Sequence, residues 1–211
     1  MSGLPFSQAC ENNKAPILDV LQRVFADRDH VLEIASGTAQ HATFLAEHLP
    51  HLRWQPSELT ESLPVTLPRC EAYGGDNLAA PIALDVSQRP WQLEVIPRAI
   101  FSANSLHIMP WKSVVDLFAE LGDRAAAGTV VALYGPFNYG GRYTSASNAQ
   151  FDQWLAQRSP GSAIRDFDDV NRLAAAAGFG LLEDNAMPAN NRLLVFSSPE
   201  VGGASVDLLE G

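Results

Sequence analysis

Three carboxylates stand in an order that suits the recognition of a nucleoside-bearing ligand: Glu33, then Glu58, then Asp85. Each falls at or near the end of a segment that reads as a β-strand. Between the first two lies Ala35-Ser36-Gly37-Thr38-Ala39-Gln40-His41. Small residues at alternate positions let a backbone approach a ligand closely. The helix start that follows offers unpaired N–H groups, Gln40 and His41 among its first residues. Glu33 fills the acidic slot of an acidic-x-Gly-x-Gly-x-Gly loop, Gly37 the central glycine, and Ala35 and Ala39 the outer ones. Glu58, one βαβ unit later, can accept both hydroxyls of a ribose, and Asp85 can accept an adenine amino group. Asn104, after the next strand, would line the floor beneath the rest of the ligand.

A second set of residues suits an acceptor. His107 has an imidazole whose ordinary pKa of ~6.5 fits a base, and Tyr139, on the loop after the fifth strand, is the other candidate for the chemistry. Pro136, Phe137 and Asn138 lie on a Gly-rich loop that can wall a substrate, and Asn190-Asn191 form a turn at the same sheet edge. The N-terminal stretch with Glu11 and Asn13 has no strand of its own and can close over that edge as a lid. Each feature alone has a plain structural use. Glu58 can be a helix N-terminal carboxylate, Asp85 a turn cap and His107 a hydrogen-bonded structural histidine. The order of the whole series favours an S-adenosylmethionine site over a nicotinamide site, for which GxGxxG is missing.

These residues need a scaffold. Pro16 suits a first helical position, and Ile17, Leu18, Leu21, Val24 and Phe25 follow at helical spacing, which predicts a helix over 15–26. Strands are expected at 31–35, 52–57, 82–86, 99–103 and 129–134, and helices at 40–49, 111–126 and 147–158. Residues 59–73 read ambiguously because Pro64 and Pro68 interrupt them. Asp166 can cap a helix ending at Gly178. Strands around 181–183 and 192–196 then pair through Asn190-Asn191. Such alternation predicts one α/β domain over 1–198, with 1–14 as the lid and 199–211 as an acidic tail. The fold class is Rossmann-like: a seven-stranded, mostly parallel sheet, its last strand antiparallel, with helices on both faces.

Composition narrows the partners. The 211 residues carry a formal net charge of -10 with no basic cluster to offset it, which disfavours nucleic acid and anionic lipid. Cys10 and Cys70 sit in no CxxC pair and beside no His at ligand spacing, so no metal site is expected, and two free thiols are favoured over one disulfide between them. No apolar run approaches the ~20 residues of a membrane span, and nothing marks secretion, so the cytoplasm is the expected location. There is no GxSxG, P-loop, HExxH or EF-hand.

The sequence resembles the domain-of-unknown-function 938 family, which includes the methyltransferase-like protein 26 group. Phe6-Ser7-Gln8-Ala9-Cys10-Glu11-Asn12-Asn13, the stretch Val31 to His41, Trp54-Gln55-Pro56-Ser57, Leu84-Asp85-Val86, Asn104 with His107, Tyr134-Gly135-Pro136-Phe137 and Met187-Pro188-Ala189-Asn190-Asn191 carry the resemblance. It implies a class I methyltransferase fold and a methyl-donor site at Glu33, Ser36, Gly37, Glu58, Asp85 and Asn104. The family usually has Arg in the slot of Asn12 and often Asp in that of Glu58. The expected activity is methyl transfer by direct displacement from S-adenosylmethionine, leaving S-adenosylhomocysteine, to a small-molecule acceptor. A non-catalytic binder on the same fold, or a nicotinamide-dependent oxidoreductase, is the alternative.

Overall fold

The computed structural model describes residues 3–200. The expected acidic tail falls almost wholly on 201–211, outside the described residues. The strands are β1 (His30–Ile34), β2 (Arg53–Glu58), β3 (Ile82–Ala83), β4 (Ala99–Ala103), β5 (Val130–Asn138), β6 (Arg165–Asp166), β7 (Gly180–Met187) and β8 (Asn191–Ser197). They are interleaved with helices α1 (Gln8–Val24), α2 (Gln40–His48), α3 (Leu63–Glu71), α4 (Trp111–Arg124), α5 (Ala146–Arg158) and α6 (Phe167–Ala176). The sheet runs β3-β2-β1-β4-β5-β8-β7, with β6 added to the end of β5 where β4 has stopped. Every pairing is parallel except the two made by β8. The expected Rossmann-like sheet with an antiparallel last strand is therefore present.

Side chains alternate between two cores, as the pleat dictates. Leu32, Ile34, Ile100, Val131, Leu133, Leu194 and Phe196 pack with Val114, Leu117 and Phe118 of α4 and Val170 of α6. Val31, Ala99, Phe101, Val130, Ala132, Tyr134, Leu193 and Val195 pack with Ile17 and Leu21 of α1 and Leu45 of α2. Burial on both faces explains why the central strands read as nearly continuous apolar runs.

The N-terminal helix departs from the periodicity. It begins at Gln8, and Pro16 lies inside it instead of opening it. Tertiary contacts explain the earlier start: the Ser7 N–H donates to Gln40 Oε1, and Gln40 Nε2 donates to Glu11 Oε1 at 2.9 Å. The stretch expected to serve as a lid is thus helical from Gln8 and docked on the start of α2. The ambiguous segment 59–73 becomes α3, with Pro64 in the first turn, where a missing N–H costs nothing. Strand β3 is only two residues long, so Asp85 stands beyond it and not within it. Among the described residues, no helix is long and apolar enough to cross a membrane.

Candidate functional site

The loop after β1 is held in a conformation that glycine normally supplies. Ala35, Gly37 and Ala39 have φ of 58°, 54° and 57°. A left-handed residue other than glycine costs roughly 1–2 kcal/mol, and the surroundings hold two alanines there. The Ser36 N–H donates to Ser57 O at 2.9 Å, and Ser57 Oγ donates to Glu33 O at 2.7 Å. From α3, Thr66 Oγ1 donates to Gly37 O and Arg69 Nε to Thr38 O. A methyl added at Gly37 would meet nothing within 4 Å. The loop therefore borders open space at the carboxyl ends of the parallel strands, where ligands of open α/β sheets bind.

The three carboxylates occupy three different environments. Glu58 sits against the loop: Oε2 accepts the Gly37 N–H at 2.8 Å and Oε1 the Leu59 N–H at 2.9 Å. Each oxygen keeps a further lone pair for a ligand hydroxyl. Glu33 lies beneath the loop, 1% exposed, and accepts a hydrogen bond from Trp54 Nε1 at 2.8 Å. Burial pushes its carboxyl up to about 8, against the hydrogen bonds from Trp54 and Ser36. Asp85 caps its own turn, accepting from Ser87 N, Ser87 Oγ and Gln88 Nε2. Burial works to raise it, but those bonds hold it below the usual carboxylate range. Oδ2 accepts only the Gln88 bond and keeps a lone pair free.

Asn104 is left-handed at φ 56°, and its N–H donates to Tyr134 O at 2.8 Å where β4 and β5 diverge. Gln40 faces the N-terminal helix as described above. His41 is buried, with Nε2 and Asn13 Oδ1 2.6 Å apart. Burial pushes its imidazole down to about 4.

The expected acceptor cleft does not form as one site. Paired residues of β5 and β8 share a face, so Asn191 opposite Pro136 lies on the α1–α2 side with Tyr134. His107 packs on the other side: a Cβ on Gly135 would come 3.5 Å from His107 Nδ1, and Gly135 faces the same way as Leu133 of the α4–α6 core. His107 and Asn191 thus stand on opposite faces, and their convergence is ruled out by the register. Burial and the Arg165 guanidinium push the His107 imidazole down to about 4, which makes it a weaker base than free histidine. Tyr139 is also committed elsewhere. It donates to Asp184 Oδ2 at 2.8 Å and stacks on Phe167, and burial together with Asp184 drives its phenol far above the ordinary value. Phe137, 1% exposed, fills the core instead of walling a substrate, and Pro136 is buried beside it. Asn138 Oδ1 is buried without a hydrogen-bond partner. Asn190 and Asn191, with Tyr139, Thr144, Met187 and Arg192, line a cavity of about 430 Å³ at the hairpin turn. Glu11 is tied to Lys14 and Gln40.

Sequence reasoning missed Trp54, Thr66, Arg69 and Tyr134. Trp54 and Tyr134 stand inside the quoted Trp-Gln-Pro-Ser and Tyr-Gly-Pro-Phe stretches, so their signal was present without a role. Thr66 and Arg69 lie in a segment whose prolines hid a helix.

Protein of unknown function (DUF938) is the family that matches residues 4–198. The chain belongs to this family. Among solved structures, this DUF938 protein is similar to the S-adenosylmethionine-dependent methyltransferase SibL in its apo form, at 21% identity and a TM-score of 0.75 over 91% of this chain and 56% of that one. It is also similar to an O-methyltransferase family 2 protein from Planctomyces limnophilus in complex with apigenin, at 17% identity and a TM-score of 0.76 over 90% and 57%. PigF with SAH matches at 15% identity and a TM-score of 0.73 over 87% and 55%. The DUF938 chain thus spans a little over half the length of the structures it resembles. It shares the fold of S-adenosylmethionine-dependent methyltransferases.

Proposed function

We propose that this DUF938 protein binds S-adenosylmethionine at the loop after β1 and transfers its methyl group to a small-molecule acceptor. The observation that supports this most is the run of three alternate left-handed residues, Ala35, Gly37 and Ala39, with the Glu58 carboxylate seated on the central N–H. The donor set fits the ligand. Glu58 has lone pairs for two ribose hydroxyls, Asp85 has one for the adenine amino group, and the space above Gly37 is free of side chains. Ser36 fixes the loop to β2, and Asn104 shapes the floor at the end of β4. When bound, adenosylmethionine supplies an electrophilic methyl on a sulfonium. The protein's contribution is to hold the acceptor ~3–3.5 Å from that methyl, in line, with water excluded.

Gly37→Ala tests the placement. The substitution should cost the fold about 1 kcal/mol, because the left-handed backbone is retained with a Cβ. It should weaken adenosylmethionine binding by about tenfold or more, since the methyl fills the space the ligand needs. Calorimetric titration alongside denaturant unfolding separates the two effects. Wild-type affinity in a folded Gly37→Ala protein would move the donor site elsewhere.

A further inference from the structure

The cavity of about 430 Å³ at the β7–β8 turn lies on the same sheet edge as the glycine loop, where β5 ends and β8 begins. Its size is within the ~300–1,000 Å³ of small-molecule sites. Of the described residues in its wall, only Arg192 is charged. That side chain, 27% exposed, is fixed before any ligand arrives. Nε donates to Asp184 Oδ1 at 2.6 Å and Nη2 to Asp184 O at 2.9 Å. Asp184 is held in turn by the Tyr139 hydroxyl, which donates to Oδ2 at 2.8 Å. These bonds use one edge of the guanidinium. The other edge, Nη1 with the outer N–H of Nη2, still has donors to give, and no protein acceptor engages Nη1 among the described residues. Thr144 supplies a hydroxyl to the same wall. The buried Asn148 donates from Nδ2 to Thr144 Oγ1 at 2.9 Å and to Asn190 O at 3.4 Å. It ties the loop after β5 to the hairpin turn and takes a Thr144 lone pair, which leaves the hydroxyl proton for a ligand. Ala189 and Asn190 in that turn are both left-handed, at φ 56° and 58°, a conformation unfavourable for residues other than glycine and kept here beside the cavity.

Resting on the donor site proposed above, we propose that this cavity anchors the methyl acceptor, and that the acceptor carries a carboxylate received by Arg192 and Thr144. The free edge of Arg192 presents two parallel N–H groups, the fork that a planar carboxylate accepts bidentately. The Asp184–Arg192 pair is neutral as a whole, so the cavity suits a monoanion better than a phosphate dianion. An ammonium finds no carboxylate oxygen to itself, because both Asp184 oxygens are engaged by Arg192 and Tyr139. Met187 and Ala186 offer apolar surface to the body of the ligand. The place fits as well. The sheet order β3-β2-β1-β4-β5-β8 sets Asp85, Glu58, Gly37 and Asn104 in a row along the edge. In the proposed complex adenine, ribose and methionine follow that row, and the next strand ends are those of β5 and β8. A carboxylate clamped by two N–H groups is a poor nucleophile, so it serves as the handle and another atom of the acceptor takes the methyl. Tyr139, too firmly bonded to act as a base, is then a positioning residue that sets Arg192 through Asp184.

The test is ligand-detected NMR with benzoate, benzamide, benzylamine and phenyl phosphate, on the protein alone and loaded with S-adenosylhomocysteine. Benzoate should bind wild type about tenfold more tightly than the other three, and should bind the loaded protein as well. Arg192→Lys keeps the charge and loses the fork. It should weaken benzoate by about tenfold while leaving S-adenosylhomocysteine affinity within about twofold. Thr144→Val, at an exposed loop position, should weaken benzoate by about threefold and serves if Arg192→Lys does not fold. Benzamide binding as tightly as benzoate, a preference for benzylamine or phenyl phosphate, no benzoate binding by wild type, or unchanged benzoate binding in whichever variants fold would overturn the site. Exclusion of benzoate by S-adenosylhomocysteine would overturn its role in holding the acceptor. Failure of wild type to bind S-adenosylhomocysteine would instead refute the donor reading, and the benzoate series on the protein alone would still decide the carboxylate site.

Discussion

Replacing Glu58 with alanine is expected to weaken adenosylmethionine binding by about tenfold to hundredfold. The carboxylate makes two bonds to the protein, to the N–H groups of Gly37 and Leu59, and in the proposed complex two more to the ribose. Removing it leaves donors without partners on both sides, at about 1–3 kcal/mol for each buried group left unsatisfied. Part of that cost falls on the free protein, because the left-handed loop loses the acceptor beneath its central N–H. Glu58→Gln should lie between, since it retains one acceptor oxygen and removes the charge. Calorimetry at fixed salt reads the affinity, and denaturant unfolding reads the stability. Unchanged affinity in a folded Glu58→Ala protein would contradict the ribose role and return Glu58 to loop support alone.

Stability should peak near pH 6.5 and fall on both sides, through three buried groups. Burial pushes the folded Glu33 carboxyl up to about 8, against 4.5 for a free glutamate. Its protonated form favours the fold, so this contribution is complete below the unfolded pKa and is lost as pH rises through the folded value. His41 and His107 titrate at about 4 when folded, against 6.5. Between those values the unfolded chain binds their protons and the folded one does not, so stability falls as pH drops through that window. Each group contributes a limiting slope of about 1.4 kcal/mol per pH unit. From 4.5 to 6.5 the two histidines outweigh the glutamate and stability rises with pH. From 6.5 to 8 the glutamate acts alone and stability falls. Glu33→Gln keeps an oxygen for the Trp54 N–H and removes the titration, so the alkaline limb should flatten. A persistent alkaline slope in Glu33→Gln would show that another group carries it.

The sheet was legible because its central strands are buried on both faces and its helices carry a 3.6-residue stripe. The glycine loop was legible despite two missing glycines: Ala35 and Ala39 occupy their slots and adopt the conformation glycine would. Helix boundaries were less so. Gln8 to Asn13 have no apolar repeat, and their helix is fixed by Gln40 and His41, more than twenty-five residues away in sequence. The acceptor side was the least legible. His107 and Asn191 both follow strands that end at one edge, but which face a residue takes is set by pairing register, and a one-residue change in register reverses it. The sequence shows Tyr134 as an aromatic at a strand end. Only the fold shows that its carbonyl oxygen accepts the Asn104 N–H.

Calorimetric titration of the wild-type protein with S-adenosylmethionine, with NAD run in parallel, tests the central claim most directly. Saturable binding of one S-adenosylmethionine per chain, lost or much weakened in Gly37→Ala and absent with NAD, is the predicted result. Heat of binding from NAD, or none from S-adenosylmethionine, would contradict it.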